Sequence, residues 1–319
     1  MTASFASALK AAREAAGSQH YPQGALYVVA TPIGNLCDMS LRALHLLTLA
    51  DAIACEDTRH TQSLLRALGI DRPAGGLIAI HQHNESEAAQ SVLRRLQAGE
   101  RIAYASDAGT PAVSDPGARL VAAVHAAGLR VVPLPGASSV TAVLSVAGAW
   151  SDASGFVFGG FLPARAGERT AAVQALAQEP RAVVLLEAPH RIADLAQALR
   201  TLGARPVTVG RELTKQFEQV HTLACEDLVG WLAADSARSR GEFALVLHPQ
   251  ALTRSDDAGL ALLTLLLAEL PVKTAVRIAA EASGAPRNAL YEAALRLREE
   301  GAGSAGEDSS DPDAPDIAR

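Results

Sequence analysis

The loop Ser106-Asp-Ala-Gly-Thr-Pro-Ala-Val-Ser-Asp-Pro-Gly117 gathers two aspartates, two serines and a threonine, more polar side chains than a tight turn needs. It follows the apolar run Ile102-Ala-Tyr-Ala105 and ends in Asp115-Pro116. That pair reads as a helix start, because the carboxylate can cap free backbone N–H groups and proline loses no hydrogen bond there. A strand, a glycine-bearing loop and a capped helix form the unit that holds small ligands at the carboxyl ends of parallel strands; without a ligand it is a plain βα connection. Four more clusters stand behind apolar runs: Thr31-Pro-Ile-Gly-Asn35, Glu56-Asp-Thr-Arg-His60, His81-Gln-His-Asn84 and Pro133-Leu-Pro-Gly136. If those runs are parallel strands, all five clusters project from one edge of a sheet. Neither G-x-G-x-x-G after the first strand nor G-x-x-x-x-G-K-[ST] occurs, which argues against ordinary dinucleotide and nucleoside triphosphate binding. His81 and His83 invite a metal, yet two histidines with no third ligand nearby fit hydrogen-bonding loop residues better, and no metal is expected.

The elements that must carry these clusters alternate. Strands are predicted at Leu26–Ala30, Asp51–Glu56, Leu77–Ile80, Ile102–Ala105 and Leu129–Leu134. Between and after them come helices from about Ser40 to Leu49, from Asp57 to Leu68, from Asn84 to Gln97 with Glu87 at capping-box spacing, from Asp115 to about Gly128, and from Ser138 or Ser139 to Gly148. Five strand-loop-helix repeats imply a mostly parallel sheet covered on both faces. Small polar residues from Ser151 to Gly155 mark a junction. Beyond it, strands are predicted at Phe156–Gly159, Ala182–Glu187, Pro206–Arg211, Phe217–Leu223 and Phe243–His248. The runs near 206 and 217 lie too close for a crossover helix and read as an antiparallel hairpin in a mixed sheet. A third unit is helical: Leu260–Leu270, Val272–Ala282 and Pro286–Arg298, with Ala280, Gly284 and Leu290 at helix-turn-helix spacing. The division expected is a flexible arm (1–22), two α/β subdomains (23–150 and 151–250), a helix-turn-helix-like domain (251–300) and a disordered acidic tail (301–319).

At 319 residues and 49% hydrophobic content, the chain can bury at least one large core. No uninterrupted apolar run reaches the roughly 18 residues a membrane helix needs, and residues 1–20 lack the apolar centre of a signal peptide. Three cysteines, Cys37, Cys55 and Cys225, suggest neither a disulfide framework nor a zinc knuckle, so a cytoplasmic location is expected. The net charge is −6, and much of it sits in the tail, where Glu307, Asp308, Asp311, Asp313 and Asp316 face only Arg319. The body is therefore close to neutral, which gives no support to a non-specific nucleic-acid binder, and any nucleic-acid substrate would have to be met by a local patch.

Together and in order, LYVVATPIGNL (26–36), ACEDTRHT (54–61), SDAGTP…SDPG (106–117), RVVPLPG (130–136), EAPHR (187–191), RELTK (211–215) and GEFALVL (241–247) resemble the tetrapyrrole-methylase superfamily of S-adenosylmethionine-dependent methyltransferases. The closer likeness is to its branch that modifies small-subunit ribosomal RNA. The resemblance covers residues 24 to 248, and the terminal PRNALYEAAL also fits. It implies two α/β subdomains of that type with the cofactor in the cleft between them, a small C-terminal helical domain, 2′-O-methylation of a cytidine in 16S ribosomal RNA, the small ribosomal subunit as partner, no membrane, and a homodimer. Carried over residue by residue, the cofactor contacts are Pro32, Ile33, Thr110, Val113, Gly136, Ala137, Leu186, Gly210 and Phe243. Ala137 departs from the proline common in relatives. Methyl transfer to a ribose hydroxyl needs placement and a proton acceptor; Glu56, Asp57, His60, Asp107 and Asp115 are the candidates, although Asp57 and Asp115 also suit helix capping. For RNA, the candidates are Arg59 and Arg191, which could equally form internal ion pairs, with Lys273, Arg277, Arg287, Asn288 and Tyr291 on the helical unit. Two other readings stay open: methylation of a small tetrapyrrole, and a DNA-binding regulator whose α/β part senses a ligand.

Overall fold

A computed structural model of the chain describes residues 5–80, 85–149, 155–250 and 256–303. The chain divides into two compact units, Met1–Gln250 and Ala251–Arg319.

In the first half of the larger unit, β1 (Ala25–Val29), β2 (Ala52–Cys55), β3 (Leu77–Ala79), β4 (Ile102–Ala105) and β5 (Arg130–Leu134) form one parallel sheet in the order β3-β2-β4-β1-β5. Helices α1 (Ala6–Ala16), α2 (Leu41–Leu49), α3 (Thr58–Ala67), α4 (Glu85–Gln97), α5 (Gly117–Ala126) and α6 (Ser139–Ala147) accompany it. Alternate strand side chains leave opposite faces of the sheet. Accordingly, Tyr27 and Val29 join Leu44, Leu47 and Leu65 of α2 and α3, whereas Leu26 joins Val92, Leu96, Leu120 and Val124 of α4 and α5. The segment read as a flexible arm is different from that expectation. Its α1 docks on α2, with Ala12 and Ala16 buried and Phe5 and Leu9 packed against the same core.

The second half holds β6 (Phe156–Gly160), β7 (Ala182–Glu187), β8 (Pro206–Arg211), β9 (Gln219–Ala224) and β10 (Phe243–Leu247) in the order β6-β7-β10-β8-β9. Only β6 and β7 pair in parallel, and β8–β9 is the antiparallel hairpin that short spacing predicts. One face carries α7 (Ala166–Leu176), α8 (Ile192–Leu199) and α9 (Leu228–Ala233), through Val173, Leu195, Leu199, Leu228 and Leu232. The other face receives α6 of the first half: Val140, Val143 and Ala147 pack on Ala182, Val184, Ala244 and Val246. This helix therefore joins the two sheets through a shared apolar core.

The smaller unit consists of α10 (Asp256–Leu267), α11 (Val272–Ser283) and α12 (Arg287–Gly303) around Leu263, Val276, Ala279, Leu290 and Ala294. Gly284 ends α11 at φ 69°, a left-handed turn that suits glycine. Asn84, the junction at 151–154 and the tail from 304 lie outside the described residues.

Candidate functional site

A cavity of about 410 Å³ opens between the two halves of the larger unit. From the first half it is lined by Ile33 after β1, Glu56 after β2, Ser106 to Asp115 in part after β4, and Ser138 to Val140 at the start of α6. From the second half come Phe161, Leu186 to Pro189, Gly210, Leu213 and Glu242 to Ala244. These are mostly strand ends, as expected for ligand sites in such sheets.

The long loop is held by its own polar residues. Thr31 and Gly109 exchange two backbone hydrogen bonds, Thr31 N to Gly109 O at 2.9 Å and Gly109 N to Thr31 O at 3.1 Å. The Thr31 hydroxyl donates to Ser106 O (3.1 Å), and the Ser106 hydroxyl to Gly109 O (3.1 Å). Gly109 has φ 80°. Ala112 is also left-handed, at φ 69°, a conformation that costs on the order of 1–3 kcal/mol for a residue with a side chain. Asp115 offsets that cost: its Oδ2 accepts from Ala112 N at 2.7 Å, while Oδ1 accepts from Gly117 N at 2.8 Å and from the buried Tyr104 hydroxyl at 2.9 Å. Burial, with Asp115 beside it, pushes the Tyr104 phenol far above its usual range, so it stays a donor. Gly117 is required by the same ring, since a Cβ there would stand 2.2 Å from Tyr104 Cε1.

The candidate proton acceptors thus separate. Asp115 lines the cavity but is engaged on both oxygens. Asp57 caps α3 through Arg59 N (2.8 Å) and pairs with the Arg59 guanidinium at 2.8 Å; those bonds hold its carboxyl well below the usual range. Asp107 accepts from Asp57 N at 3.3 Å and its own N–H donates to Glu56 Oε1 at 3.1 Å, so it ties the ends of β2 and β4 together. His60 is exposed and outside the lining. Glu56 is half-buried in the cavity wall. Burial raises its pKa, the Asp107 N–H opposes this, and Asp115 and Asp107 add to the rise.

Six of the nine carried-over cofactor residues line the cavity: Ile33, Thr110, Val113, Leu186, Gly210 and Phe243. Pro32, Gly136 and Ala137 do not, although Ala137 O accepts from the Thr110 hydroxyl at 3.0 Å. Gly210 is closely packed, as a Cβ would lie 3.0 Å from Val143 and 3.1 Å from Leu213. Arg191 does not reach outward for phosphate. It lies 3.2 Å from the fully buried Glu187 carboxylate and donates to Leu162 O, because an internal charge needs a partner more than a surface needs another cation. Arg59, by contrast, has 90% of its side chain exposed. On the helical unit Lys273, Arg277, Arg287, Asn288 and Tyr291 are all exposed, and Arg277 pairs with Glu281 at 3.1 Å. His81 and His83 lie outside the described residues; among those described, no group of three or more His, Cys, Asp or Glu is placed to hold a metal ion. Nor, among them, is any helix long and apolar enough to cross a membrane.

The family profile described as Tetrapyrrole (Corrin/Porphyrin) Methylases matches residues 25–229, and one described as the RsmI C-terminal HTH domain matches residues 253–298. A protein of Pseudomonas aeruginosa named ribosomal RNA small subunit methyltransferase I is 46% identical over 279 residues, 86% of this chain and 97% of that protein. Its namesake in Escherichia coli O157:H7 is 45% identical, over 86% of this chain and 95% of its own. The chain belongs to the tetrapyrrole methylases, in the ribosomal RNA small subunit methyltransferase I family. Two solved structures share the fold. Cobalt precorrin-4 methyltransferase is 18% identical at a TM-score of 0.52, covering 72% of this chain and 98% of its own, and diphthine synthase is 15% identical at 0.54, covering 70% and 90%. At that distance they speak for the fold alone, which is the two-subdomain α/β architecture the motifs imply.

Among the cavity residues of this methyltransferase family member that the motifs did not single out are Phe161, Glu187, Leu213 and Glu242. The last three stand in the EAPHR, RELTK and GEFALVL blocks. Phe161 stood in none, though the Gly159-Gly160 pair before it was a signal of a bent strand end.

Proposed function

We propose that this chain transfers a methyl group from S-adenosylmethionine to the ribose 2′-hydroxyl of a cytidine in 16S ribosomal RNA, acting on the small ribosomal subunit. The observation that carries the chemistry is that, of the five candidate proton acceptors, Glu56 alone both lines the cavity built from both halves and keeps a carboxylate oxygen outside the loop's hydrogen bonds, with its pKa raised by burial. The cavity suits the cofactor in size and character. Its volume of about 410 Å³ falls in the range of small-molecule sites, which are largely apolar with a few polar groups. Glycine backbone at 109 and 210 allows close approach without a side chain. Ile33, Thr110, Val113, Leu186, Gly210 and Phe243 would hold the cofactor, which supplies a methyl group on a cationic sulfur. The chain's own work is to align a ribose hydroxyl in that space and to receive its proton at a Glu56 carboxylate oxygen. Alignment supplies most of the rate, and proton acceptance the remainder.

Arg59 and the exposed residues of α11 and α12 would meet ribosomal RNA phosphates, and a homodimer in the cytoplasm is the expected working form. Incubation with S-adenosylmethionine and small subunits lacking the modification should yield one ribose-methylated cytidine. Naked 16S transcript should react far more slowly, since a nearly neutral body cannot hold RNA by charge alone. No methyl incorporation into subunits would refute the reading, and equal rates on both substrates would refute the requirement for the assembled particle.

A further inference from the structure

The second sheet ends at one edge in a device that aims an aromatic ring. Edge strand β6 runs in register with β7 through Phe158, and the register then shifts before Gly160. Bulges of this kind re-aim side chains beside active sites. Gly159 fits tightly there, since a Cβ would stand 2.8 Å from Leu185 Cδ2, and Gly160 turns the chain at φ 60°. The next residue is Phe161, which lines the cavity yet is 51% exposed. Leu162 after it is buried, and its carbonyl is gripped by Arg191, itself set against buried Glu187. The ring is thus presented from a fixed backbone and left uncovered.

Exposure sorts the lining into a floor and a rim. Val140, Gly210, Phe243 and Ala244 are buried and form the floor. Phe161 from the second half and Val113 from the first, 38% exposed, are apolar residues left in water at the rim. Sequence-specific RNA recognition targets single-stranded nucleotides, whose unstacked bases are held on aromatic faces. Resting on the methyltransferase reading above, we propose that Phe161 is the stacking platform for the base of the target nucleotide, with Val113 the apolar contact from the facing half. Its position at the rim rather than the floor favours the RNA base over the adenine of the cofactor.

The test compares Phe161→Ala and Phe161→Trp with wild type in methylation of small subunits, in calorimetric binding of S-adenosylhomocysteine, in melting and in sedimentation. The alanine variant should raise KM for subunits about ten-fold, with S-adenosylhomocysteine affinity, melting and sedimentation unchanged, and tryptophan should stay within a few-fold of wild type. An unchanged KM would overturn the proposal. Weakened S-adenosylhomocysteine binding would assign the ring to the cofactor, a lower melting temperature to packing, and altered sedimentation to a subunit contact, each against it. A wild type inactive on subunits would remove the underlying reading and this proposal with it, a result distinct from an active wild type beside an equally active alanine variant.

Discussion

At the scale of single residues, Glu56 is the candidate proton acceptor that lines the cavity with one carboxylate oxygen still available. Glu56→Gln keeps an Oε1 acceptor for Asp107 N but removes the proton acceptor. Methylation should fall by about 100-fold while S-adenosylhomocysteine affinity by calorimetry stays within a few-fold. Because burial raises the folded pKa, the protonated acid cannot accept, so the rate of the wild type should climb with pH through that raised value and then level. The stability consequence has the opposite slope: the neutral acid suits its site, and the contribution fades as pH rises through the folded pKa. The glutamine variant should therefore melt no lower than wild type at neutral pH, with any gain vanishing on acidification. Thr110→Arg should abolish S-adenosylhomocysteine binding without lowering the melting temperature by more than about 3 °C, since Thr110 lines the cavity and gives up one hydrogen bond to Ala137 O; retained binding would remove Thr110 from the site. The residue types of this site were legible in the sequence, their availability was not. Asp107, Asp57 and Glu56 are sorted by bonds between positions about fifty apart, and no local pattern encodes such a pairing.

Among the elements, the strands and most helices follow from apolar runs ended by glycine, proline and capping residues; Ser40 and Asp57 cap α2 and α3 where their types predict it. The docking of helix α1 escaped that logic, because the residues it buries outright are alanines, Ala12 and Ala16, whose small side chains do not announce a core contact. Its packing makes a prediction opposite to that of a loose arm. Deleting residues 1–17 uncovers α2 and part of the core around Leu46 and Leu47, so the melting temperature should drop by about 5 °C or more. An unchanged melting curve would show the docking to be dispensable. The bulge of β6 was equally hidden, since a glycine pair announces a bend without saying which side chain the bend will aim.

For the whole molecule, the division at Gln250 separates a unit that contains the complete cavity from one with its own small core. A chain ending at Gln250 should bind S-adenosylhomocysteine and melt as the larger unit does in the full protein, yet lose most methylation of small subunits if the exposed Lys273, Arg277, Arg287, Asn288 and Tyr291 dock on RNA. Loss of cofactor affinity in that truncation would instead make the helical unit a structural cover. The choice of end point is not free. Strand β10 lies between β7 and β8, and it is the last strand of its sheet to be synthesised. Until Leu247 has emerged, β7 and β8 each present a bare edge able to pair with any other extended chain. The nascent chain therefore carries two open edges from the making of Arg211 to the making of Leu247, and a chain stopped short of β10 should aggregate where one ending at Gln250 stays dispersed, which light scattering would read.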